Sequence, residues 1–391
     1  MKLEWSDADE AFRADLVAFL AEHAPPEALR PADFDGMEDG DEVIPQWSRS
    51  WQATLFDHGW MIPGYPPHLG GRNATPSQTM VYLEELADRG IRRSQNFPGY
   101  AIVAPSLLEH GTHEQKQLAA PSIRGDILWC VGMSEPGAGS DLAGLSTRAV
   151  RDGNEFVITG QKVWTSYATV ADKCLCYVRT DPDVPKHKGI SAIIVDLDTP
   201  GVDARPLRHL TGAAEFAEVF FDEARVPVAN LVGEMNNGWR ITMGSLAHER
   251  GGLWVQGVAG VTHALDDLVA MARAKGLDND GAVRRRLGEA YERASSLRSL
   301  GYKGFASFAR GEVAPEHSYM KLATSELGKD LYQLGIELQG PWAPIIDPAH
   351  SDGGGRWQRS FFVSMASTIA AGSSEIQRNI IAQRTLGLPR G

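Results

Sequence analysis

At 391 residues the chain is long enough for two or three domains with a sizeable core. Its composition, 43% apolar and 23% charged, is that of an ordinary globular protein. A net charge of −12 excludes a non-specific nucleic-acid or anionic-membrane surface, while leaving room for a local basic pocket that takes an anionic substrate.

The start, MKLEWSDADEAFRADLVAFLAEH, is acidic and amphipathic, so no secretory leader is expected. No run of about 18 apolar residues suggests a membrane span. Apolar spacing of three and four in DEAFRADLVAFLAEH and SQTMVYLEELADRG predicts helices through the first ~125 residues. Thr112 and Gln115 predict a capping box for a further helix, and the Gly/Pro cluster from Pro63 to Gly71 a long connection. From about Ile127 to Asn230 strand-like runs take over: STRAVR and EFVITGQKVWT joined through Asp152-Gly153-Asn154, then KCLCYVRT, GISAIIVDLD and AEVFFDEARVP. These predict an antiparallel sheet or barrel. The helical period returns at Gly238 and persists to the end, broken between Pro341 and Gly355. The predicted domains are 1–125, 126–237 and 238–391, an α+β plan without internal repeats. Cys130, Cys174 and Cys176 form no zinc pattern and leave an odd thiol, which fits a reducing cytoplasm; we read all three as core residues.

Two stretches carry chemistry. In WCVGMSEPGAGSD, Trp129 to Asp141, small residues between Pro136 and Ser140 leave backbone N–H groups unshielded, as phosphate-cradling loops require. It is neither a P-loop nor a dinucleotide fingerprint, and taken alone such a Gly-rich turn is more often structural. In GQKVWTS, Gly160 to Ser166, an indole and a hydroxyl two positions apart share one strand face, which suits a flat aromatic ligand or a sheet core. In the final helical region Glu249 lies three residues after Leu246 and four before Leu253, on an apolar helical face. Burial there raises a carboxyl pKa towards that of a general base; a buried salt bridge to Arg250 or His248 is the other reading.

SEPGAGSD, GQKVWTS, FFDEARVPVANLVGE and GSSEIQRNIIAQR, in that order, resemble the acyl-CoA dehydrogenase family. The resemblance implies an N-terminal helical domain, a middle β-domain and a C-terminal four-helix bundle holding FAD. It implies that Met133 and Ser134 meet the flavin edge, that Gly139 and Ser140 meet the cofactor's phosphate side, with Ser140 also at the substrate, and that Trp164, Thr165 and Ser166 line the ring. Gln339, Gly340, Ser373 and Glu375 complete the cofactor set. Arg273 stands in for the usual adenosine-binding stretch, which ARAKGLDNDGAVRRRLG replaces; Gly340-Pro341 replaces a common Gly-Gly pair.

In straight-chain members a glutamate in the turn corresponding to "IAAGSSE" takes the substrate α-proton; here that position is Ala371. Branched-chain and some long-chain members carry the base directly before an arginine in the preceding long helix, as Glu249-Arg250 does. The resemblance therefore implies α,β-dehydrogenation of an acyl-CoA thioester with Glu249 as base. Arg250, Ala371 and Gly372 would be at the substrate, the thioester carbonyl accepting from the Ala371 N–H and a cofactor hydroxyl. It further implies an electron-transfer flavoprotein as acceptor, and a homotetramer or homodimer, or a heteromer with a paralogue. The rival readings are a flavin monooxygenase or oxidase on the same fold, and an auxiliary subunit. A serine hydrolase lacks its G-x-S-x-G elbow.

Overall fold

The computed structural model describes residues 4–26, 44–309, 316–347 and 349–389, and their side chains except those of 245–253, 308–309 and 316–318. The N-terminal third is built from α1 (Asp7–His23), α2 (Gln46–Asp57), α3 (Pro76–Asp88), a π-helical turn (Pro98–Val103) running into α4 (Ala104–His110), and the short helices α5 (His113–Lys116) and α6 (Ala119–Arg124). The capping box at Thr112 and Gln115 forms, and so do two others, Ser6 with Asp9 and Thr75 with Gln78. In each, the first side chain accepts from a backbone N–H that the helix leaves unpaired.

Eight strands follow: β1 (Trp129–Gly132), β2 (Arg148–Asp152), β3 (Glu155–Ser166), β4 (Lys173–Arg179), β5 (Ile190–Asp196), β6 (Val202–Leu207), β7 (Phe216–Pro227) and β8 (Leu231–Val232). They form one sheet in the order β6-β7-β3-β2-β4-β5-β8, with β1 added on β4. Gly153, at φ 62, turns the β2–β3 hairpin as the Asp-Gly pair predicted. The sheet is not purely antiparallel: β1 runs parallel to β4, and β2 meets β4 in parallel at Arg148 and Arg179. Adjacent hairpins are legible in sequence, whereas β1 and β4 are joined by a long crossover that local patterning does not reveal. Pro206, which cannot donate to a ladder, lies in the edge strand β6.

The C-terminal region is α7 (Gly238–Ala274), α8 (Gly281–Ala309), α9 (Glu316–Glu337), α10 (Arg356–Ser367) and α11 (Ser374–Ile380). Between α9 and α10 the chain turns through Gly353, Gly354 and Gly355, all in the left-handed region.

Alternation along β4 and β5 divides the core. Cys174, Cys176, Val178, Ile193 and Val195 pack on one face with Phe156 and Val219. Leu175, Tyr177, Ala192 and Ile194 pack on the other, closed by Val103 and Leu107 of the N-terminal helices and Ile241 of α7. Cys130, Cys174 and Cys176 are all buried and free. Hydrogen bonding with Cys130 and burial hold the Cys174 thiol well above its ordinary range, and hydrogen bonding with Cys174 and burial do the same for Cys176, so both stay protonated. The largest core joins both ends of the chain: Leu16, Trp51 and Leu86 belong to one cluster with Leu265, Leu331 and Trp357.

Candidate active site

Strand β1 delivers the chain into the SEPGAGSD loop, and β3 holds it there. The Val163 N–H donates to the Ser134 carbonyl at 2.9 Å, and Lys162 Nζ donates to the Met133 carbonyl at 3.1 Å. Glu135 and Ala138 exchange backbone hydrogen bonds of 3.0 Å, closing the turn. Beneath it Lys162 and Glu135 form an ion pair of 2.8 Å, with side chains 0% and 5% exposed. The Glu135 carboxylate also accepts from the Ser146 N–H (2.6 Å), the Ser146 hydroxyl (2.8 Å) and the Thr147 N–H (2.8 Å). Burial alone would raise its pKa, but the Lys162 charge and these donors outweigh it, and the carboxyl settles at about 2. This frame was missed in sequence, although a lysine inside a strand that otherwise reads as buried is a signal for a paired internal charge.

Above the frame the loop is open. A Cβ added at Gly137 or Gly139 would meet nothing within 4 Å, and neither residue has a positive φ. Nothing within the chain requires glycine at either position, so the space over them suits a ligand approaching the backbone closely. Ser140 is exposed beside them, and the next residue, Asp141, pairs with Lys186 at 2.9 Å.

The β3–β7 ladder slips between Lys162 and Thr165, where three steps along β3 oppose two along β7. Trp164 sits in this bulge at φ 58, and Tyr167 follows at φ 60. Strict alternation is lost there. The Trp164 indole is 55% exposed and meets the edge of Phe216 at 5.7 Å. Ser166 is half-buried. Thr165, expected among the cofactor ligands, is buried between Trp164 and Ser166, and its hydroxyl has no partner among the described residues.

The turn from Ile369 to Ser373 sits on the bundle. Ala371 is at φ 53 and Gly372 at φ 94. Gln377 Nε2 donates to the Ala371 carbonyl at 3.1 Å, and Lys321 of α9 to the Gly372 carbonyl at 2.7 Å. Among the described residues, the N–H groups of Ala371 and Gly372 donate to no protein acceptor. Ser373 caps α11 by accepting from Ile376, and Glu375 is exposed in its first turn. A backbone N–H and the Ser373 hydroxyl lower the Glu375 pKa.

Glu249 and Arg250 lie on α7, and their side chains are outside the described residues. Helix α7 packs against α3, the π-helical turn, α8 and α9. Trp254, on the same helix, lays its ring on Gly301 of α8. Arg273 is exposed in the last turn of α7. Gln339 is buried and occupied within the chain, donating to the Gly335 carbonyl and accepting from the Asp352 N–H, while Lys275 pairs with Asp352 at 2.8 Å. Gly340 follows at φ 60, exposed. Arg273, Gln339 and Gly340 thus share one end of the bundle, Met133 to Ser166 share the sheet, and Ala371 to Glu375 share the turn.

Family profiles match nearly the whole chain: "Acyl-CoA dehydrogenase, N-terminal domain" over residues 6–125, "middle domain" over 130–224 and "C-terminal domain" over 236–386. The acyl-CoA dehydrogenase IpdE1 of Mycobacterium tuberculosis is 36% identical over 383 residues, covering 97% of this chain and 98% of that protein. Among solved structures, the "Tcur3481-Tcur3483 steroid ACAD" superimposes with a TM-score of 0.85 at 33% identity, with both chains covered fully. The ChsE4-ChsE5 complex from Mycobacterium tuberculosis gives 0.83 at 29% identity, again over both full chains. The chain belongs to the acyl-CoA dehydrogenase family, oxidoreductases that act on acyl-CoA.

Proposed function

We propose that this chain catalyses the α,β-dehydrogenation of an acyl-CoA thioester, with Glu249 as the base that takes the α-proton. The observation that carries this reading is the Ala371 turn: two free N–H donors beside a side chain that has no acid or base. Such donors stabilise the charge that develops on a thioester carbonyl oxygen as the α-proton leaves. With no carboxylate in the turn, the proton acceptor has to come from another element, and Glu249 on α7 supplies one.

The residues fit FAD. Open space over Gly137 and Gly139 suits the cofactor's phosphate side, together with Ser140, and the exposed Trp164 indole suits a flat ring. Met133, Ser134 and Ser166 would hold the ring edge, and Arg273, Gly340, Ser373 and Glu375 the remainder. FAD, when bound, supplies the hydride acceptor. Gln339 contributes by fixing the chain around Gly340, since its amide is already engaged.

Two neighbours favour a finer assignment. The Tcur3481-Tcur3483 steroid ACAD and the ChsE4-ChsE5 complex each join two named proteins, which favours a heteromer of this chain with a related one over a homotetramer. Similarity to a steroid ACAD also favours a bulky, ring-bearing acyl group. Reoxidation would fall to an electron-transfer flavoprotein. The test is anaerobic titration of the purified holoprotein with straight-chain, branched and ring-bearing acyl-CoAs. One class should bleach the flavin band in wild type and not in Glu249→Gln; strong oxygen consumption without thioester-dependent bleaching would favour an oxidase or monooxygenase.

A further inference from the structure

Charges wholly or partly withdrawn from solvent are generally answered by an opposite charge, as Lys162 is by Glu135 and Arg13 by Glu85. Arg93, on the loop between α3 and the π-helical turn, is an exception: among the described residues no carboxylate pairs with it. Its Nε is shut off from solvent and meets no acceptor. One Nη reaches the Met61 carbonyl at 3.5 Å, the outer limit of a hydrogen bond. The guanidinium lies 5.0 Å from the centre of the Tyr100 ring. Beside it Tyr82, fully buried on α3, has a hydroxyl with no partner. Burial holds that phenol well above its ordinary range, so it is a neutral O–H donor.

Two orphaned donors side by side, one of them charged, are costly in a protein interior. The missing group is an oxygen acceptor. The elements on either side of Arg93, α3 with Tyr82 and the π-helical turn with Tyr100, both pack on α7, the helix that carries Glu249. Tyr82 and the loop of Arg93 thus lie on the side of α7 covered by α3 and the π-helical turn. We propose that Arg93 and Tyr82 form a recognition subsite for an oxygen at the far end of the acyl group, a ketone or carboxylate. The proposal rests on the acyl-CoA reading above. The Tyr100 face would hold the guanidinium plane in place for it.

The test uses the holoprotein and acyl-CoAs matched in length that end in a methyl, a ketone or a carboxylate, over a ladder of lengths. Binding is read by ligand-induced thermal shift and reduction by anaerobic bleaching of the flavin. Wild type should bind an oxygen-ended thioester at least about tenfold more tightly than its methyl-ended match. Arg93→Met should remove that preference while leaving methyl-ended binding within about twofold. Tyr82→Phe, which deletes one atom and keeps the ring packing, should lose about three- to tenfold of the preference. Equal binding in wild type, or a preference that survives both substitutions, would overturn the subsite and leave ordered water as the partner of both donors. If the preference is present but no thioester bleaches the flavin, the dehydrogenase reading fails and the subsite stands. Bleaching without any preference gives the reverse.

Discussion

Two turns at the candidate site hold non-glycine residues in the left-handed region, Trp164 with Tyr167 in the sheet and Ala371 on the bundle, and they are held by different means. The Trp164 turn is fixed from below. Lys162 and Glu135 are buried, every contact of that carboxylate is with the adjoining loop and strand, and β7 pairs with β3 on both sides of the bulge. The Ala371 turn is fixed from its rim by Lys321, Gln377 and the Ser374–Glu326 bond of 2.6 Å; Gln377 and Ser374 are buried, but Lys321 and Glu326, the charged members of these ties, are only part-buried. Backbone strain of this kind persists only where the surroundings over-determine it. The contrast assigns a rigid wall to the side proposed for the cofactor and an adjustable one to the side proposed for the thioester.

The largest effect expected is on chemistry. Glu249→Gln should lower the rate of flavin reduction by about 10²–10⁴-fold with unchanged flavin content, read by stopped-flow absorbance; a rate within twofold of wild type would remove Glu249 as base. Next is the rigid wall. Lys162→Met leaves Glu135 buried and unpaired and should cost about 3–5 kcal/mol in denaturant unfolding, with loss of bound flavin. Because the Glu135 pKa is depressed in the folded state, its contribution is complete above the ordinary value of 4.5 and is lost as pH falls towards about 2. Glu135→Gln should therefore flatten the acid limb of the melting temperature between those values.

Smaller effects separate the two turns further. Thr165→Val removes a buried hydroxyl that has no partner and should raise stability by about 1 kcal/mol without lowering flavin content. A fall in flavin content would return that hydroxyl to the cofactor. Ala371→Gly should relieve left-handed strain in the adjustable wall, stabilising by a few tenths to about 1 kcal/mol in thermal unfolding. A destabilisation would mean that the rim ties favour the alanine conformer.

The helix–strand–helix order was legible because apolar period and caps are local: the Thr112–Gln115 box and the Asp152-Gly153 turn each involve residues a few positions apart. What escaped involves distance. Glu135 and Lys162 are 27 positions apart, and their pairing depends on how a loop lies over a strand. Strand β1, four residues long, is too short to show alternation, and β6 contains a proline and no fully buried residue. The shared strand face read for Trp164 and Ser166 rests on a two-residue period that a single extra residue in the ladder interrupts. The three thiols were read correctly as core because nothing more than burial was asked of them.

The core shared by α1–α3 and the terminal bundle has a consequence for synthesis. A chain made from its N-terminus displays Leu16, Trp51 and Leu86 well before Leu265, Leu331 and Trp357 exist to cover them. The sheet carries an apolar face of its own, from Phe156 to Val226, and can close it as soon as β7 emerges. Nascent-chain protease protection should therefore appear first in the middle of the sequence, with the opening helices protected only after the last ones have docked.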